Sequence, residues 1–94
     1  MNNKFFFVYV LFSFNDRKLY IGYSENLEGR ISEHQKGRVK ATKDRLPLVL
    51  IHYEAFADRH DAKAREIFLK SGFGRSQLKK ALQNRLKQLN YKHL

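Results

Sequence analysis

The sequence predicts a single α/β (α+β) domain in the order β-β-α-β-α-α, a central three-stranded antiparallel sheet flanked by helices. Three features carry that expectation: a nearly unbroken apolar run at Phe5–Phe14, a second apolar stretch at Leu48–Phe56 and, beyond Asp58, apolar residues at helical rather than strand spacing. Ninety-four residues leave room for one core, expected over about residues 5–89 with 90–94 frayed. Eight Phe and five Tyr supply the bulk to close that core without crosslinks. The chain has no cysteine, which excludes disulfides and thiolate metal sites.

Phe5–Phe14 is too uniformly apolar for an amphipathic helix and reads as a strand covered on both faces, central in the sheet. Asn15-Asp16-Arg17-Lys18 is turn chemistry, so Leu19–Ser24 returns as its hairpin partner. Asn26 can cap a helix running to Gly37, with Glu28 in the first turn and Leu27 and Ile31 as the inward stripe. Pro47 opens the third strand, Leu48–Phe56, where its missing N–H costs no ladder bond. Asp58 caps a second helix, Arg59–Lys70, which the glycines of Ser71-Gly72-Phe73-Gly74 are expected to end. A third helix then follows, with Leu78, Leu82, Leu86 and Leu89 on one face.

Nineteen Lys and Arg against nine Asp and Glu leave a formal charge of +10, unevenly spread. No acid lies between Ile67 and Leu94, and Asp44 is alone among Lys36, Arg38, Lys40, Lys43 and Arg45. Charges serving only solubility would mix signs, so the stripe points to a phosphate backbone, with anionic membrane the lesser competitor. The Phe5–Phe14 run fails as a signal peptide: it is aromatic and β-branched, has no small-residue cleavage site, and falls far short of the roughly 20 residues of a membrane span. A cytoplasmic location is expected.

Glycine-framed serines and phosphate-cradling loops are missing from the sequence, and His34, His52, His60 and His93 lack zinc-ligand spacing. What remains is a set of polar residues where apolar ones would be easier. Tyr9 sits mid-strand and Tyr20 on the hairpin partner, so their hydroxyls can converge; the alternative for each is an ordinary core tyrosine. Arg30 and His34 are four apart beside the Leu27 and Ile31 stripe; the alternative is an exposed arginine and a partly buried histidine. Glu66 lies between Ala62 and Leu69, on or beside a buried stripe, and must be compensated by Lys63, Arg65 or Lys70, or by a divalent cation.

Phe7-Val8-Tyr9 with Tyr20-Ile21-Gly22 resembles the paired signature of the GIY-YIG nuclease superfamily; the second half matches literally and the first keeps its tyrosine. Asn26-Leu27-Glu28-Gly29-Arg30 is similar to the family's helix opening that ends in an essential arginine, and His34 stands where many members carry a histidine. Ala64–Lys70 resembles the segment that bears the metal-binding glutamate, which falls on Glu66. Lys70–Arg75 is similar to small single-domain bacterial members of the superfamily, those related to the amino-terminal nuclease domain of the bacterial excinuclease. The likeness covers about residues 5–82. The chain departs from the pattern at Gly29, in place of a second basic residue, and at Tyr23, where larger nucleases often carry lysine. It also has no asparagine between Glu66 and Asn84.

The resemblance implies an endonuclease that hydrolyses nucleic-acid phosphodiesters, DNA more than RNA, with little sequence specificity and a setting in DNA repair. The alternative is a binding module of the same fold that has lost turnover. Tyr9, Tyr20, Arg30, His34 and Glu66 are the implied catalytic residues, with one Mg²⁺ or Mn²⁺ on Glu66 and either tyrosine as the general base. Lys36, Arg38, Lys40, Lys43, Arg45, Lys70, Arg75, Lys79, Lys80 and Lys87 are expected to track the nucleic acid. A protein partner supplying targeting, and no membrane, completes the expectation.

Overall fold

The computed structural model describes residues 4–91. The elements are β1 (Phe6–Ser13), β2 (Leu19–Ser24), α1 (Leu27–Gln35), a 3-10 turn (Lys43–Arg45), β3 (Leu48–Phe56), α2 (Arg59–Lys70), α3 (Gly72–Ala81) and α4 (Gln83–Gln88). The sheet order is β2-β1-β3 with both pairings antiparallel, so the expected β-β-α-β-α-α architecture is present. The central place of β1 accounts for its sequence: Val8 through Ser13 are all buried, because helices cover both faces of the strand.

Side chains alternate across the pleat, and the register assigns the faces. Val8, Val10 and Phe12 pair with Tyr23, Ile21 and Leu19 and build the larger core with Ala62, Leu69, Leu78 and Leu86 of α2 to α4. Tyr9 and Leu11 pair with Gly22 and Tyr20 and form a smaller cluster with Ile31 of α1 and Leu48 of β3. The polar residues of interest therefore fall on the thinner, α1-covered side. The β1–β2 turn is tied down by Ser13, whose Oγ accepts from the Asn15 and Asp16 amides and donates to the Arg45 carbonyl.

The caps behave as their chemistry dictates. Asn26 accepts from the Gly29 amide at 3.2 Å, and Asp58 accepts from the His60 and Asp61 amides. The end of α2 differs from expectation. Gly72 and Gly74 do not stop that helix; Ser71 ends it and caps the next, its Oγ accepting from the Gly74 amide at 3.1 Å and donating to the Phe68 carbonyl at 2.6 Å. Gly74 serves a close approach, since a Cβ there would overlap the Phe68 carbonyl. The leucine-lined third helix is likewise two helices, broken at Leu82, which lets Leu78 and Leu86 both reach the core. At the expected loose end, Tyr91 is only 8% exposed and packs on the core, while residues 92–94, with His93, lie outside the described residues.

Candidate active site

The β1–β2 pairing sets Tyr9 directly across from Gly22. The phenol of Tyr9 lies over that glycine: a Cβ at position 22 would overlap the Tyr9 Cζ and hydroxyl. Leu11 faces Tyr20 one pleat along, and the two tyrosine rings lie 6.4 Å apart. Tyr9 is 1% exposed, whereas Tyr20 keeps contact with solvent.

His34, in the last turn of α1, closes the other side. Its Nε2 is 2.7 Å from the Tyr9 hydroxyl and its Nδ1 is 2.7 Å from Thr42 Oγ1. Its ring also packs against both tyrosines, at 5.5 Å from Tyr9 and 5.2 Å from Tyr20. Tyr9, His34 and Thr42 are all buried, so this is a satisfied chain of three polar groups shielded from solvent. Burial pushes the Tyr9 phenol up to about 12; Tyr20 and Glu66 add to that, and the nearby Arg30 guanidinium opposes it. Burial, reinforced by the charge of Arg30, pushes His34 down to about 4.

Both shifts favour the uncharged forms at neutral pH. With the phenol raised and the imidazole lowered by burial, the proton stays on Tyr9 and the hydrogen bond joins two neutral groups. His34 is neutral and holds Tyr9 in place. One tautomer accepts from Tyr9 and donates to Thr42; the other accepts from Thr42 and donates to Tyr9.

Arg30 stands one turn before His34 on α1, is exposed, and is close enough to bias both Tyr9 and His34. Glu66 comes from α2, between the fully buried Ala62 and Leu69. Its carboxylate is 15% exposed, raises the Tyr9 phenol through its charge, and pairs with Lys70 Nζ at 3.0 Å. The other two cations near it are engaged elsewhere: Arg65 binds Glu54 at 2.9 Å, and Lys63 lies 4.0 Å over the Tyr23 ring. No group of three or more His, Asp or Glu able to hold a metal gathers among the described residues.

The basic residues divide. Lys36, Arg38, Lys40 and Lys43 are exposed, as expected for a backbone-facing surface. Arg45 is not available in that way. Its guanidinium grips Asp16 through Nε and Nη2, donates to the Leu19 carbonyl and is 23% exposed. Although burial works the other way, the bond from Arg45, with help from Lys18 and Ser13, holds the Asp16 carboxyl below its ordinary value. Lys70 is committed to Glu66, while Arg75, Lys79, Lys80 and Lys87 line a common groove on α3 and α4. Sequence reasoning missed Thr42, whose signal was present: an uncharged β-branched residue amid Lys40, Lys43, Asp44 and Arg45.

Residues 5–80 match the GIY-YIG catalytic domain. The chain belongs to the GIY-YIG family. That is a family of nuclease type, which makes nucleic acid the substrate class. GIY-YIG relatives of similar size include a UPF0213 protein of Staphylococcus haemolyticus, 39% identical over 80 residues, covering 84% of this chain and 95% of the relative. A UPF0213 protein of Pediococcus pentosaceus is 39% identical over 88 residues, covering 93% and 92%. The solution NMR structure of a UPF0213 protein from Bacillus halodurans superposes with a TM-score of 0.53 at 30% identity, covering 82% of this chain and 84% of that one. Tyr9 and the Tyr20-Ile21-Gly22 tripeptide, on which the family resemblance rests, lie within the matched residues, and the glycine is the residue that makes room for the tyrosine. Among the described residues no helix is long and apolar enough to cross a membrane.

Proposed function

We propose that this chain is a metal-dependent endonuclease that hydrolyses nucleic-acid phosphodiesters, DNA in preference to RNA, with little sequence specificity. The observation that carries the reading is the packing of Tyr9, Tyr20 and His34 on the α1-covered face of the sheet, with the Tyr20 ring 6.4 Å from Tyr9 and 5.2 Å from His34. Arg30 and Glu66 lie near enough for their charges to act on the Tyr9 phenol, so the set can address a single phosphate.

Glu66 fits a hard divalent ion. A lone, partly exposed carboxylate suits Mg²⁺ or Mn²⁺, which keep several waters and bind substrate phosphate as well; it would not suit zinc. Such an ion would be held by Glu66 and would supply charge relief to the phosphate in the transition state. Arg30 clamps a non-bridging oxygen with its planar fork. Tyr20, the phenol that solvent reaches, takes the proton from the attacking water after giving up its own to solvent, with the Arg30 guanidinium at hand to offset the phenolate charge. Tyr9, buried and fixed by His34, positions the neighbouring Tyr20 ring. The exposed cations of the Lys36–Lys43 segment contact the backbone, which positions a strand without reading its sequence. No base-reading element accompanies them, so a DNA-repair setting with structure-directed or partner-directed cutting in the cytoplasm suits the domain.

One observation favours a second reading, a binding module without turnover. Glu66 already has a partner in Lys70, which holds one of its carboxylate oxygens. Purified protein incubated with duplex, branched and single-stranded DNA and with RNA, in Mg²⁺, Mn²⁺ or chelator, separates the two. Cleavage that needs metal and disappears in Glu66→Ala and Tyr20→Phe supports the enzyme. Retained binding with no cutting under any condition supports the module.

A further inference from the structure

The break at Leu82 bends α3 against α4, and a groove of about 530 Å³ opens along them, lined by Arg75, Lys79, Lys80 and Lys87 with Gly72 and Gln83. Gly72 to Gln88 contain no acid, and none of those four cations pairs with a carboxylate among the described residues. The four charges, of which Lys79 also lies 5.5 Å over the Tyr91 ring, share one groove and together attract a ligand that brings several negative charges in a row.

At the first turn of α3 stands a feature that charge alone does not explain. Phe73 is 70% exposed, touching Phe68 edge-on at 6.2 Å. At about 100° per residue, Phe73 projects in nearly the same direction as Lys80, seven positions on, and so stands on the side of α3 that carries one of the groove's cations. It also follows by three residues Lys70, the partner of Glu66, so the two regions adjoin along the chain. Neighbouring Ile67 is equally exposed. A backbone groove on a helix that also carries a free aromatic face matches a ligand that alternates phosphates with flat rings. A duplex would satisfy the cations and leave Phe73 idle, because its bases are already stacked. An apolar protein partner would need to be strongly acidic all round the ring.

We infer that the α3–α4 groove with Phe73 binds an unpaired stretch of a nucleic-acid strand, the phosphates along Arg75, Lys79, Lys80 and Lys87 and a base stacked on Phe73. This makes a single-stranded tail or a branch with unpaired bases the preferred substrate. It rests on the nuclease reading for the nature of the ligand, yet it concerns a site built without Tyr9, Arg30 or Glu66.

The test is fluorescence anisotropy in chelator, with a labelled single-stranded DNA of about 12 nucleotides, within the footprint range of such grooves, and the matching blunt duplex. The single strand binds at least about tenfold tighter, and Phe73→Ala and Phe73→Leu each lose about tenfold on it while leaving the duplex unchanged, at the low end of one base stack. Phe73→Trp retains the affinity. Lys79→Ala combined with Lys80→Ala weakens binding and lowers the salt slope by about 0.7 per charge removed. Melting temperatures of the Phe73 variants, whose side chain is mostly exposed, stay near the parent's. Equal binding of the two probes by the parent chain, or indifference of the single strand to Phe73→Ala and Phe73→Leu, overturns the inference. Because the assay needs no hydrolysis, a chain that passes it and cuts nothing keeps this site and loses the nuclease reading. One that cuts duplex and ignores Phe73 does the reverse.

Discussion

Tyr9 rests its phenol over Gly22, the residue directly across the β1–β2 ladder, in space that any side chain at position 22 would fill. Gly22→Ala must therefore push the ring off its bond with His34 or open the two strands. Overpacking of this kind costs about 1–3 kcal/mol. Urea denaturation is expected to reveal that loss, and cleavage is expected to fall further than nucleic-acid binding, because no residue of the ladder lines the groove on α3 and α4.

The His34 ring links acid sensitivity to the site. Its folded value of about 4 lies below the ordinary 6.5. Between those values the unfolded chain binds a proton that the folded one refuses, so stability rises with pH through the window and is lost as pH falls from 6.5 toward 4. The loss is on the order of 3 kcal/mol. In His34→Gln this slope disappears, and at pH 7 the variant is about 1–2 kcal/mol less stable because Tyr9 and Thr42 lose a buried partner. Denaturation curves of both proteins from pH 4 to 7 measure the difference. On the alkaline side Tyr9, raised from 10.0 to about 12, keeps a proton that the unfolded chain gives up. That contribution is full below pH 10 and is lost as pH rises through 12.

Lys70 competes with any cation for Glu66. Since the pair joins adjacent helical turns and Lys70 is half exposed, Lys70→Ala is expected to cost no more than about 0.5 kcal/mol of stability. It is also expected to lower the Mg²⁺ or Mn²⁺ concentration that gives half-maximal cleavage. A metal titration of rate for the two proteins reads this directly; an unchanged midpoint would mean that the lysine is not in the ion's way.

Arg45 and Lys40 look alike in the sequence and are expected to fail in opposite ways. Arg45→Ala breaks the grip on Asp16 and the bond to the Leu19 carbonyl, costing about 1.5 kcal/mol. Lys40 is exposed, so Lys40→Ala leaves stability within about 0.5 kcal/mol and instead reduces the salt dependence of nucleic-acid binding. Thermal melts and salt titrations of both variants separate the two roles.

How far the sequence discloses this molecule follows from the range of the interactions. Leu19–Ser24, Leu48–Phe56 and Arg59–Lys70 are bounded by local chemistry, a turn, a proline and an Asp cap, and their limits agree with the structure. The elbow at Ser71 and the break at Leu82 depend on how α3 packs against α2 and the sheet, so glycines that read as a stop instead permit close contact. In the site, the family resemblance brings Tyr9, Tyr20, Arg30, His34 and Glu66 to attention, and the proximity of the Tyr9, Tyr20 and His34 rings follows from the strand register and the last turn of α1. Thr42 was not legible, because its partner is eight residues away across a loop. The same limit applies to Arg45, whose charge is visible in the sequence while its partner, Asp16, stands 29 positions earlier.

If groups from separate elements act as one unit on a single phosphodiester, their contributions to the rate cannot be independent. Single-turnover cleavage with saturating Mn²⁺, for the parent chain, Tyr20→Phe, Glu66→Gln and the double variant, puts this to the proof. Residues that work as a unit are strongly non-additive, so the double variant is expected to be no slower than the worse single one. Rate losses that simply multiply, or cutting by Glu66→Gln at the parental rate, would show that no such unit exists.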